Sequence, residues 1–232
     1  MKNKYFKKII VIILVLATIL TFCTSLFFSL MRKDIPVKID YKNNTVEEIV
    51  AKYNEKGQKT IENWFKDDEK QKNFALKYIG MKFPTINYKS VSGKEINNEI
   101  FKGNKTLIVI GASYCENCEA TTAELEGLYK DVNVIEIFPK DDLSKIKTYY
   151  EKLKLPMPND RVVVGDENKD MQIVKDLNIK AIPVLLYINE EGIITYAKLG
   201  SSDKKELNIY KDRAFSNTQL YKELKTEKKF MF

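Results

Sequence analysis

Two of the chain's three cysteines, Cys115 and Cys118, stand in the stretch GASYCENCEA, residues 111 to 120, with Glu116 and Asn117 between them. Cys-x-x-Cys spacing admits three chemistries: gripping a metal, closing a static staple, or passing two electrons by cycling between dithiol and disulfide. A structural zinc centre takes four ligands, and the chain has no histidine and only Cys23 besides, inside an apolar run. A metal site would therefore have to be shared between chains. A static disulfide at this spacing closes a very short loop and constrains the unfolded chain little. The lack of histidine also removes Ser-His and Cys-His hydrolases of the ordinary kind. Reversible thiol–disulfide exchange is the favoured reading, with neither metal nor cofactor.

The residues around the pair predict how it is held. Lys105 to Ile110 is a short, almost continuously apolar run, as expected of a strand buried on both faces. The cysteines follow it directly, at the start of a helix whose apolar face carries Leu125, Leu128 and Tyr129. Cys115 then falls in the first turn, where unpaired backbone N–H groups favour thiolate over thiol. A free cysteine titrating near about 8.5 is drawn to roughly 3.5–7.5 in such places. Cys118 lies one turn further in, more buried, and is positioned to attack a mixed disulfide on Cys115.

Strands and helices continue to alternate downstream. Val132–Phe138 reads as a strand, and Asp142 opens a helix with Leu143, Ile146, Tyr150 and Leu153 on one face, stopped by Pro156 and Pro158. Arg161–Val164 is a short strand, and Ile173, Val174 and Leu177 mark another helix. Val184–Ile188 and Ile193–Leu199 form strands joined through NEEG as a hairpin. The pattern predicts an α/β domain with a parallel sheet finished by an antiparallel pair.

The N-terminal part is of another kind. From Ile9 to Leu30 no residue is charged; 22 residues of helix span roughly 33 Å, enough for a bilayer core of about 30 Å. The run is too long for a signal peptide and lacks a good cleavage site. Bulky Phe22 before Cys23 argues against lipidation there. An uncleaved single-pass anchor is expected, with Cys23 facing lipid. Residues 1–33 hold six of the 39 basic residues and none of the 32 acids, so the rest of the chain carries 33 bases against 32 acids. The net charge of +7 thus belongs to the flanks of the anchor, and no nucleic-acid partner is expected. Basic residues lie on both sides of the span, but a large C-terminal domain translocates largely regardless of them. The domain is expected outside the cytoplasm.

Four segments follow: an anchor at 1–33, a helical spacer at 34–80, an α/β domain at 81–201 and a helical tail at 202–232. In the spacer, Val46, Ile49, Val50 and Tyr53 share a face, Gly57 breaks that helix, and Ile61, Trp64 and Phe65 begin a second apolar face that continues with Phe74, Tyr78 and Ile79. The spacer reads as a hairpin packed on the domain or standing as a stalk.

GASYCENC resembles the A-x-W-C-x-x-C signature of thioredoxin-fold proteins, and KAIPV, 65 residues downstream and just before a strand, resembles their cis-proline loop. From FPTINYKSVSGKEINNEIFKGNKTLIVIGAS through DENKDMQIVKDLNIKAIPVLLYINEEGIITYAKLG, residues 81–200 are similar to TlpA/ResA-like membrane-anchored thiol-disulfide oxidoreductases. The resemblance implies a thioredoxin-like fold, a central mixed sheet flanked by helices. It implies Cys115 as nucleophile, Cys118 as resolving thiol, and Pro183 in a cis bond after Ile182, beside which a substrate strand pairs. Tyr114 stands where tryptophan is usual and still provides a flat aromatic flank. Two acids of such families are missing: Val109 occupies the position six residues before the first cysteine, and Thr121 the position three after the second.

The implied partners are protein disulfide or dithiol substrates, a membrane dithiol electron carrier, and the bilayer through residues 9–30. The implied activity is a reductase at the cell membrane with its domain extracytoplasmic. Two alternatives stand beside it: a disulfide-forming oxidase or isomerase, and a non-catalytic accessory module.

Overall fold

The computed structural model describes residues 55–166 and 171–216. The expected anchor over 9–30, the spacer helix around 46–53 and the tail beyond 216 lie outside these. Among the described residues no helix is long and apolar enough to cross a membrane.

The centre is a five-stranded sheet in the order β5-β4-β3-β6-β7, where β3 is Thr106–Ile110, β4 Asn133–Phe138, β5 Val162–Val164, β6 Val184–Ile188 and β7 Ile194–Leu199. β3, β4 and β5 run parallel, whereas β6 pairs antiparallel with both β3 and β7. This is the mixed sheet of the thioredoxin-like fold. Every residue of β3 and β6 is buried, as their apolar runs require when both faces are covered. The β6–β7 turn is held by Asn189, whose Oδ1 accepts the N–H groups of Glu191 and Ile193. Gly192, at φ +80°, supplies the left-handed residue of this turn.

Helix α1 (Glu55–Trp64) and α2 (Glu69–Leu76) precede a small antiparallel ribbon of β1 (Asn87–Lys89) and β2 (Glu95–Asn97). Ile61, Phe65, Ala75, Leu76 and Ile79 are buried in one core with the sheet, so this part of the spacer packs on the domain. Gly57 was expected to end a helix, yet α1 runs through it. The cost of a helical glycine, about 1 kcal/mol, is outweighed by seating the Ile61 face. Both outer strands are covered. Gln71 of α2 donates Nε2–H to the Ala197 carbonyl and accepts the Leu199 N–H along β7, and the β1–β2 loop donates the Val91 N–H to the Val162 carbonyl of β5. Such cover blunts an edge that would otherwise pair with another chain.

The helices that matter for chemistry lie on one sheet face. They are α3 (Glu116–Thr122) after β3, α4 (Leu143–Leu153) between β4 and β5, and α6 (Lys204–Phe215) at the end; α5 (Gln172–Asp176) precedes β6. α4 starts where expected, on the Asp142 cap, but stops on a left-handed Lys154 (φ 56°) before either proline is reached. Leu143, expected inside, is 37% exposed, and Tyr149 is buried in its stead. The helix expected to carry Leu125 and Leu128 ends at Thr122; those leucines sit on a separate 3₁₀ turn, Leu125–Leu128. Thr121 donates its hydroxyl to the Asn117 carbonyl, a back-bond that loosens a helix at its end.

Candidate functional site

β3 delivers the chain to Gly111 at the C-terminal end of the sheet, and α3 begins five residues later with Cys115 as its N-cap. Cys115 and Cys118 form a disulfide with Cα atoms 5.2 Å apart. Their environments differ as the sequence predicts. Cys115 is partly exposed, while Cys118 is 2% exposed. The backbone N–H of Cys118 donates to Cys115 Sγ at 3.2 Å, a contact that favours a negative sulfur at Cys115. A side chain at Gly111 would press on Cys118 Sγ, since a Cβ there would lie 3.3 Å from it and 3.8 Å from the Phe138 ring. Glycine is thus what allows α3 to approach the sheet closely.

Opposite the disulfide, the Ile182–Pro183 bond is cis. Val184 pairs with Ile110, so the next register step brings Pro183 level with Gly111 at the same sheet end. Ala181 is exposed, Ile182 half-buried and Pro183 buried. Tyr114 is 74% exposed, its ring in solvent beside Cys115. The five residues singled out in the sequence therefore gather at one end of the sheet.

Two buried acids escaped the sequence reading. Asp141, 1% exposed, accepts the Ser113 N–H at 2.9 Å on Oδ2 and the Ser113 hydroxyl on Oδ1. It clamps the loop two residues before Cys115 to the loop that follows β4. Glu136, in the middle of β4, is 1% exposed and lies in register with Val109. Its Oε2 accepts the Thr122 hydroxyl at 2.9 Å, its Oε1 accepts the Tyr150 hydroxyl, and Tyr149 donates to Thr122 at 3.0 Å. Burial pushes the Glu136 carboxyl up to about 7, against the opposing pull of the Tyr150 and Thr122 hydrogen bonds. Burial, with the Glu136 charge added, drives Tyr129, Tyr149 and Tyr150 well above the ordinary tyrosine value. A signal for Glu136 was present: one acid in the apolar run NVIEIF of a central strand. Asp141 had none, because its partner is 28 residues away.

The active-site helix is fastened on its other side too. Thr121 accepts the Ser202 N–H at 3.1 Å, and Glu119 pairs with Lys152 of α4 at the surface.

A cis-proline level with a disulfide at the N-terminus of a helix, on a five-stranded mixed sheet, is the arrangement of a thioredoxin-like fold. The Redoxin family pattern matches residues 78–213, more than half of the chain, and the chain belongs to the Redoxin family. It is similar to the thioredoxin-like protein YneN of Bacillus subtilis (strain 168), 23% identical over 135 residues, covering 55% of this chain and 75% of that protein. Among solved structures, StoA from Bacillus subtilis is 20% identical with a TM-score of 0.46, covering 56% of this chain and 97% of StoA. The thioredoxin domain of a thiol-disulfide oxidoreductase from Bacteroides vulgatus is 18% identical with a TM-score of 0.49, covering 57% and 96%.

Proposed function

We propose that the chain is a thiol-disulfide oxidoreductase that reduces protein disulfides through Cys115 and Cys118. It acts outside the cytoplasm, held to the membrane by residues 9–30, and takes electrons from a membrane dithiol carrier. The observation that carries this reading is the unequal pair: a partly exposed Cys115 whose sulfur accepts the Cys118 N–H, and a buried Cys118 bonded to it.

In the reduced protein the Cys115 thiolate attacks one sulfur of a substrate disulfide. The S–S bond breaks, a mixed disulfide forms, and the departing substrate thiolate takes up a proton. Cys118 then gives up its proton and attacks Cys115 Sγ, releasing the second substrate thiol and leaving the Cys115–Cys118 disulfide. Two electrons pass from protein to substrate. Tyr114 and the backbone at Ile182–Pro183 form the surface against which the substrate lies, and proline there offers no N–H to compete with an incoming strand.

The reduction potential of the full-length chain in detergent tests the direction. A value near about −270 mV is expected for a reductant, and one near about −120 mV would transfer the protein to the disulfide-forming oxidases.

A further inference from the structure

The exchange just described has an unequal proton count. A substrate disulfide needs two protons to leave as two thiols, whereas a reduced centre with Cys115 as thiolate and Cys118 as thiol holds only one. The second must come from solvent or from a group coupled to the centre.

We propose that the Glu136 carboxyl holds that second proton, making Glu136 a positioning and proton-storing residue of the redox centre. This rests on the exchange function assigned above to Cys115 and Cys118. Atoms and charge then balance within the protein. Cys115–S⁻, Cys118–SH and Glu136–COOH react with a substrate disulfide to give the Cys115–Cys118 disulfide, Glu136–COO⁻ and two substrate thiols. One proton comes from Cys118 and one from Glu136, and recharging by a dithiol carrier reverses both.

The placement of Glu136 supports this. It shares a sheet face with Phe138, two residues on, and the Phe138 ring and Cys118 Sγ both border the point where a Cβ on Gly111 would fall, at 3.8 and 3.3 Å. Thr122, which donates to Glu136, is one helical turn beyond Cys118 on the same face of α3. The carboxylate therefore sits under the active-site helix, about one turn from Cys118 and about 10 Å from Cys115 at ~1.5 Å of helix rise per residue. It does not touch the reacting sulfurs, so its influence is through charge. A thiolate formed about 10 Å away, across a medium of effective permittivity about 20, strengthens proton binding at Glu136 about tenfold.

The groups facing Glu136 do not compete for the proton. Tyr149 and Tyr150 from α4 and Tyr129 after the 3₁₀ turn are all shifted upward and stay neutral through pH 9. Arg161 is stacked over the Tyr129 ring at 4.8 Å, and Glu119 is paired to Lys152 at the surface. Glu136 itself, raised to about 7 with the disulfide closed, is the neighbour that titrates in the neutral range.

The test is the redox equilibrium of the full-length protein against a dithiol/disulfide reference from pH 6 to 9, for wild type and Glu136→Gln. At pH 6 the two are expected to match. By pH 9 the wild type, carrying a carboxylate that opposes the thiolate, is expected to be about tenfold the stronger reductant, about 30 mV for a two-electron couple. A ratio that stays constant across this range while both proteins equilibrate overturns the inference and leaves the exchange function standing. Failure of the wild type to equilibrate with any dithiol overturns the exchange function itself, and the inference with it. Should Glu136→Gln not fold, Tyr150→Phe serves instead. Losing that donor destabilises the carboxylate, so the break in the wild-type pH curve is expected to move to higher pH; an unmoved break overturns the inference.

Discussion

Removing the Asp141 carboxylate isolates what the clamp on the active-site loop contributes. Asp141→Ala leaves the Ser113 N–H and hydroxyl without their acceptor, in a place where Asp141 is 1% exposed and Ser113 only partly so. Hydrogen bonds to a carboxylate are worth about 1.5–3 kcal/mol each when buried, and neutral ones nearer about 1. Discounting for the exposure of Ser113, the expected loss is about 3 kcal/mol, or roughly 6–12 °C in Tm for a chain of this size. Ser113→Ala removes only the hydroxyl bond and is expected to cost about 1 kcal/mol. Because both substitutions break the same bond, the double variant is expected to cost no more than Asp141→Ala alone, a coupling of about 1 kcal/mol. Thermal and urea unfolding of the oxidised protein measure all three. A loss under about 0.5 kcal/mol for Asp141→Ala, or strict additivity in the double variant, would refute the clamp.

Further outcomes are expected at other sites. Glu136 binds its proton more tightly folded than unfolded, so its contribution to stability is full below about pH 4.5 and is lost as pH rises to about 7. Wild type minus Glu136→Gln is expected to show a loss of about 3 kcal/mol over that range at about 1.4 kcal/mol per unit, and a flat difference in urea midpoints would contradict the buried carboxylate. Gly165→Ala is expected to destabilise the domain by more than about 3 kcal/mol, read by thermal unfolding, because the added methyl would fall on the Pro139 carbonyl. In the reduced protein Cys115 is expected to be alkylated at least about tenfold faster than Cys118 near neutral pH, given their exposures; mass spectrometry of the labelled peptides decides, and equal rates would argue against the asymmetry.

The cysteines, the proline loop and the alternation of strands and helices were legible because each is a local pattern. Cys115 announces itself by following a buried strand, and Pro183 by preceding one. What the sequence hid depends on register between distant segments. Val109 reads as a missing acid until β4 is laid beside β3 and Glu136 comes level with it. Asp141 reads as a loop residue until the chain returns to Ser113. Periodicity showed that the Ile61 and Phe65 face of the spacer is apolar, but not that Gln71 would cap the β7 edge. Leu125 and Leu128 keep helical spacing, and only the back-bonding of Thr121 shows why α3 stops short of them.

The central claim is that Cys115 attacks and Cys118 resolves. It is tested most directly by the full-length Cys118→Ser protein in the cells that produce it, with adducts resolved by non-reducing electrophoresis. Serine does not displace a partner from Cys115 at neutral pH, because its hydroxyl is a poor nucleophile. Covalent, dithiothreitol-sensitive adducts are expected to accumulate on Cys118→Ser and to be absent from Cys115→Ser, which lacks the attacking sulfur. Adducts on neither variant, or on Cys115→Ser alone, would contradict the exchange mechanism.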